Sequence, residues 1–240
     1  MSIYNIILTN EKSQYITYDM KIGIFIIHSK EYTSRRKYVD NLLNFFNRPN
    51  IIVEIIDGVI TDQILGDARF IKRKSLKKGQ IGCALAHVSA YKRAIELNLD
   101  FVFIFEDDVE IKVDTYEKLL IWLNKLPNTT DICLLTNSGW HVGRGNDGRI
   151  HRIKQNDDTI YITCPFGTIS YCMKKDILEL LYRTQTKHIE NNKIFIADGL
   201  FIHCKKDNNR FLNMVSPRDR NLLFKHDDNC MSIIGTVNNI

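Results

Sequence analysis

Three neighbouring carboxylates, Glu106, Asp107 and Asp108, follow directly on the apolar run Leu99-Asp-Phe-Val-Phe-Ile-Phe105. Adjacent acids repel one another unless they are protonated, solvated or paired with a cation. Oxygen-only ligand sets favour hard ions such as Mg²⁺ or Mn²⁺. The run ahead of them is rich in β-branched and aromatic residues and reads as a strand covered on both faces, so the acids emerge at its carboxyl end. Open α/β sheets bind ligands at that end. The cargo expected there is a metal-chelated diphosphate.

Composition bounds what can surround these acids. The chain has 240 residues, 44% hydrophobic and 25% charged, enough for one substantial core. No stretch reaches the roughly 18 consecutive apolar residues of a spanning helix, and the amino terminus lacks the order of a secretory signal. A soluble, cytoplasmic protein is expected. The six cysteines are scattered, with no CxxC pair, which argues for reduced, mostly buried thiols over a structural zinc site. The formal charge of +5 is too small to indicate nucleic acid. Arg69, Lys72, Arg73, Lys74, Lys77 and Lys78 form a local basic run, either a solvated loop or an electrostatic funnel for a phosphorylated substrate.

Periodicity supplies the supporting elements. Residues 1–20 show no lasting pattern and are expected to form an arm. Ile22 to Ile27 read as the first core strand, Ser34 to Phe46 as an amphipathic helix stopped near Pro49, and Ile51 to Ile56 as a second strand. Strand, helix, strand opens a parallel sheet. A long helix is predicted over Gly79 to Asn98, because Ile81, Leu85, Val88 and Ile95 recur at helical spacing, and it feeds the acidic strand. Beyond the acids, a helix over Tyr116 to Leu126 and a strand over Asp131 to Thr136 precede a polar stretch, Asn137 to Asp158, with four glycines. That stretch, with Trp140, His141, Arg144 and Arg149, is either a lid or acceptor platform or a loop of poor order. Strands over Thr159 to Thr163 and Thr168 to Met173 and helices over Lys174 to Tyr182 and Ala197 to Lys205 complete the reading. The fold class is α/β: one domain over 21–226, with a central, mostly parallel sheet flanked by helices and a tail over 227–240.

The segment Lys78-Gly-Gln-Ile-Gly-Cys-Ala-Leu-Ala-His-Val-Ser-Ala-Tyr91, followed by Phe103-Ile-Phe-Glu-Asp-Asp-Val109, resembles the signature of glycosyltransferase family 25. That family includes galactosyltransferases of lipopolysaccharide biosynthesis and of collagen hydroxylysine. Further stretches are similar to it: Ile26-Ile27-His28 with Arg35 and Arg36, Asp57-Gly58, Gly167-Thr168 with Tyr171, and Ala197-Asp198-Gly-Leu200. Two positions depart from it. His28 stands where the family has Asn or Ser, and Glu31 or Tyr32 stands at an earlier basic position.

The resemblance implies a GT-A fold that binds a UDP-sugar and Mn²⁺ or Mg²⁺, with a glycan or a hydroxylated peptide as acceptor. Asp108 would coordinate the ion, and Glu106 would assist it or contact the ribose. Asp107, pointing to the other side of an extended chain, completes the acidic motif. Ile27, His28, Arg35, Asp57, Gly58, Lys78 and Gly79 would contribute to the donor pocket. Inverting transfer needs a general base for the acceptor hydroxyl, and Asp198 is the candidate, with metal ligation or acceptor binding as its other roles. His226, beside Asp227 and Asp228, is either a further metal ligand or part of a solvated tail. His87 is expected to pack beneath the metal strand or to orient an acid through a second hydrogen bond.

Two other readings use the same residues. A nucleotidyltransferase or phosphohydrolase would direct the acids at a different phosphate. A carbohydrate-binding protein of the same fold would have lost turnover altogether.

Overall fold

The computed structural model describes residues 16, 19–59, 78–136, 153–154, 159–162, 169–208, 210, 212–219 and 222–226. Most of the arm, the basic run Arg69 to Lys77, most of Asn137 to Asp158, Gly167-Thr168 and Asp227-Asp228 lie outside the described residues. Strand β1 (Ile22–His28) leads through a 3-10 turn (Thr33–Arg35) into α1 (Arg36–Phe45), then β2 (Ile51–Asp57), α2 (Lys78–Glu96) and β3 (Phe101–Glu106). There follow β4 (Val109–Ile111), α3 (Tyr116–Leu123), β5 (Ile132–Leu134), β6 (Ile153–Lys154), β7 (Thr159–Ile162) and β8 (Ser170–Lys174). The last elements are α4 (Lys175–Glu190), α5 (Ala197–Asn208), β9 (Met214–Pro217) and β10 (Phe224–His226).

Eight strands form one sheet in the order β2-β1-β3-β8-β5-β9-β7-β6, and β10 pairs with β4 in a separate ribbon. The pairings run β1, β2, β3, β5, β6 and β9 in one direction and β7 and β8 against it. The expected mostly parallel α/β sheet is therefore present, with β8 as an antiparallel insertion at its centre. Register aligns the tips that matter: Ile27 sits opposite Glu106, and His28 opposite Asp57.

Alternation along β3 divides the core into two layers. Phe101, Phe103 and Phe105 pack with Val39 and Leu42 of α1, Phe46, and Leu119 and Leu123 of α3. Val102 and Ile104 face the other way, onto Ala86, Ala90 and Ala94 of α2, Leu178 and Leu181 of α4, and Leu200 of α5. Every residue from Phe101 to Phe105 is fully buried, as expected of a strand covered on both faces. Burying a phenylalanine contributes about 1.5–3 kcal/mol, so three together outweigh the roughly 4 kcal/mol of repulsion between like charges 4 Å apart near a protein surface. Packing thus holds β3 in place while its end carries acids.

Local chemistry sets the element ends. Thr115 caps α3, its Oγ1 accepting the Lys118 N–H at 3.2 Å. Asn98, just past α2, takes a left-handed φ of 52°, which stops the helix two residues before the predicted Asn98 end. The predicted stop of α4 at Tyr182 is corrected to Glu190. Its later turns look too polar to bury, yet Gln185 is buried because its amide donates to Phe195 O at 2.7 Å and accepts the Phe195 N–H at 3.3 Å. Thr184 is buried with Asn208 Nδ2 donating to its hydroxyl at 3.2 Å. Among the described residues, no helix is long and apolar enough to cross a membrane. Cys133, Cys172 and Cys204 are buried free thiols, and Cys83 is a half-buried one.

Candidate active site

The two-residue period of β3 continues past its end and separates the three acids. Glu106 shares the α2 face with Val102 and Ile104, and Asp107 turns to the opposite face, as its place in an extended chain predicts. On β1, His28 follows Ile24 and Ile26 onto that same opposite face. The carboxylate of Asp107, 4% exposed, accepts the Nδ1–H of His28 at 2.8 Å and an Nη1–H of Arg35 at 2.7 Å. Arg35 is itself 5% exposed, and its Nη1 also stands 3.2 Å from Asp108 Oδ2. His28, Arg35 and Asp107 therefore satisfy one another inside the protein and fix Asp108 from behind.

Asp108 is buried as well, beside two basic side chains. Its Oδ2 meets Arg35 and, at 3.3 Å, the Nε2 of His226. Its Oδ1 is buried and, among the described residues, has no hydrogen-bond partner. A buried carboxylate oxygen without a donor is costly unless a cation satisfies it. His226 is not part of a solvated tail. It ends β10, whose pairing with β4 (His226 opposite Val109) brings the imidazole back beside the acids.

Glu106 looks into the same region from the α2 side. Burial pushes its carboxyl above the ordinary glutamate value of 4.5, and the negative charges of Asp108 and Asp198 push the same way, against the opposing pull of His87. Asp198 stands in the first turn of α5. Cys83 Sγ donates toward Glu106 Oε1 at 3.6 Å, and His87 Nε2 lies 3.4 Å from the same oxygen. Behind His87 a chain of buried hydroxyls continues: Nδ1 is 2.7 Å from Tyr171 OH, and Tyr171 OH is 2.7 Å from Tyr91 OH. His87 thus does both things expected of it, packing below the strand and contacting an acid.

The remaining predicted residues lie at the ends of β1, β2 and α2. Ile27 is buried on the α2 face, beside Glu106 in register. Asp57 is exposed and paired with Lys30 at 3.1 Å, and the Gly58 N–H donates to His28 O at 2.9 Å, tying the tips of β1 and β2. Lys78 and Gly79 open α2. Sequence reasoning missed Cys83 as a partner of Glu106 and the hydroxyls of Tyr91 and Tyr171. The signal was available in the spacing of Cys83, His87 and Tyr91, four residues apart on one helical stripe.

An open α/β sheet with acids following the carboxyl end of an interior strand is the layout of a ligand-binding α/β domain. Comparison with known sequences narrows the class. The chain belongs to glycosyltransferase family 25 (LPS biosynthesis protein), whose model matches residues 21–194. It is 29% identical over 113 residues to a Haemophilus influenzae protein carrying a provisional glycosyltransferase name, covering 41% of this chain and 40% of that protein. It is also 29% identical over 154 residues to human procollagen galactosyltransferase 2, covering 56% of this chain and 24% of that protein. The matched regions thus span well under half of either relative. Among solved structures, the mannosyltransferase PcManGT from Pyrobaculum calidifontis, in complex with GDP-Man and Mn²⁺, aligns with a TM-score of 0.47 and 14% identity, over 88% of this chain and 58% of that one.

Proposed function

We propose that the chain is a metal-dependent, GT-A-type glycosyltransferase that moves a hexose, galactose or glucose, from a UDP-sugar to a hydroxyl of a glycan, lipid-linked saccharide or hydroxylated peptide, with inversion. The observation that carries this reading is Asp108. In a family 25 chain it follows the carboxyl end of β3 with one buried oxygen that, among the described residues, has no hydrogen-bond partner, and with His226 beside its other oxygen. The donor set of carboxylates and one imidazole suits a divalent ion of the Mn²⁺ or Mg²⁺ kind, held by Asp108, Glu106 and His226. Such an ion, when bound, supplies charge neutralisation for a departing diphosphate.

The chain's own residues divide the remaining work. Arg35 and His28 hold Asp107, and Arg35 in turn holds Asp108, so the ligand oxygen is positioned before any donor arrives. A site ordered beforehand loses less on binding and in the transition state. Ile27, Asp57 and Gly58 at the tips of β1 and β2, with Lys78 and Gly79 at the start of α2, are assigned to the nucleotide half of the donor. Asp198 takes the proton from the acceptor hydroxyl on the face of the sugar opposite the leaving group. The galactosyl choice draws on the name of the procollagen relative, as does the presence of a peptide among the acceptors.

A panel of nucleotide-sugars incubated with and without Mn²⁺ tests the reading without an acceptor in hand. Slow Mn²⁺-dependent release of UDP from one hexose donor, lost in Asp108→Asn, is the expected result. Turnover in that variant equal to that of the unchanged protein, or release that ignores the metal, would remove the role assigned to Asp108.

A further inference from the structure

Cys83 and His87 lie one helical turn apart on α2 and both face Glu106. Sγ is 3.6 Å and Nε2 is 3.4 Å from Glu106 Oε1, and the three donor atoms lie within 4.8 Å of one another. A tetrahedral zinc ion with bonds of about 2.0–2.3 Å spans edges of roughly 3.3–3.6 Å between neighbouring N, O and S ligands. Two of the three edges already have that length. The other face of the imidazole is held by Tyr171, whose hydroxyl is 2.7 Å from Nδ1. A second partner of this kind is what fixes the ring of a metal-bound histidine and aims its free nitrogen. Access exists as well, since the Glu106 side chain is 24% exposed and Cys83 is half-buried.

The ligand chemistry differs from that around Asp108. Sulfur and imidazole nitrogen select borderline ions such as Zn²⁺ or Co²⁺, whereas a carboxylate-dominated set suits Mn²⁺ and Mg²⁺. We infer that Cys83, His87 and Glu106 form a binding site for a borderline divalent cation of the Zn²⁺ type, beside the hard-ion site and sharing one carboxylate with it. Sγ, Nε2 and Oε1 each give a lone pair to the ion, the thiol proton leaves to solvent, and water fills the fourth position. Because Glu106 serves both sites, zinc would withdraw it from the donor-sugar centre and inhibit transfer. Only that consequence rests on the function proposed above; the ion site stands on the triad's geometry.

Titration of the metal-free whole chain with Co²⁺ reads the site directly, because a cobalt–thiolate bond absorbs in the near ultraviolet. A saturable band that Zn²⁺ displaces, that survives in Asp108→Asn and that disappears in Cys83→Ser is expected. Absence of the band, or the same band in Cys83→Ser, overturns the site. Should Cys83→Ser fold poorly, alkylation of the unchanged protein followed by mass spectrometry gives an independent reading. Saturating Zn²⁺ should slow modification of Cys83 several-fold, because the thiolate that would attack the reagent is engaged by the ion. Equal rates with and without zinc would also overturn the site. Neither measurement needs a nucleotide-sugar, so failure of the transferase reading and failure of the zinc site remain separate outcomes.

Discussion

His226 Nε2 stands 3.3 Å from Asp108 Oδ2, although 118 residues separate them in the chain. The contact exists because β10 pairs antiparallel with β4, the short strand that immediately follows the acids. If His226 is a ligand, His226→Ala should raise the Mn²⁺ concentration needed for half-maximal UDP release by about tenfold or more. A metal titration of donor hydrolysis measures this. An unchanged half-saturation point would leave His226 as a packing partner of Asp108.

Neighbouring acids should respond to substitution in opposite ways. Asp107→Ala strips the buried His28 ring of its carboxylate and takes from Arg35 the nearer of its two, and loss of one partner of a buried pair costs about 3–5 kcal/mol. Asp108→Asn keeps an amide oxygen for Arg35 and His226 and leaves the Asp107 pairs intact, so urea unfolding should show a much smaller loss while metal-dependent turnover disappears. Equal destabilisation by the two changes would contradict the division of labour between these acids.

The hydroxyl of Tyr171 bridges Tyr91 and His87, and both of those groups are buried. Tyr171→Phe strands the Tyr91 hydroxyl and His87 Nδ1, at a cost of about 1–3 kcal/mol. Replacing both tyrosines by phenylalanine should recover part of the loss, since removing both ends of a hydrogen bond leaves fewer orphaned groups. Denaturant unfolding of the two single variants and the double variant gives the coupling. Strict additivity would show that the hydroxyls do not act as a chain.

Gly23 lies on β1 where a Cβ would collide with Leu99 Cδ1 and come within 3.2 Å of the Phe25 ring. Leu99 is fully buried and has little room to yield. Gly23→Ala should therefore destabilise the chain by about 1–3 kcal/mol, as overpacked cores do. Adding Leu99→Val should return part of that loss in a thermal melt. A neutral Gly23→Ala would mean that the Leu99 side chain relaxes freely.

Much of the frame was legible because burial writes itself into the order of residues. The run from Phe101 to Phe105, the apolar spacing of α2 and the βαβ opening each carry one dominant period. The alternation that turns Asp107 away from Glu106 was legible for the same reason. The extent of α4 was hidden because Thr184 and Gln185 bury polar groups through partners distant in sequence, Asn208 and Phe195. Strands β4, β9 and β10 were missed because so few residues show no period and, unlike the equally short β5 and β7, they do not stand out as predicted strand runs; their positions are set by pairing. Within the site, the motif exposed the acids, yet the mutual satisfaction of His28, Arg35 and Asp107 arises only when β1, the 3-10 turn and the end of β3 meet in space.

The ribbon of β10 on β4 has a consequence for biosynthesis. Translation delivers β3 and its acids well before the strand that carries His226, so a nascent chain halted near Leu222 would lack that imidazole whatever else had condensed. On the proposed ligand set, completion of the cation pocket is then a late event on the ribosome. If that set holds, fragments ending before Phe224 should collapse into much of the sheet yet bind manganese more weakly than the whole chain.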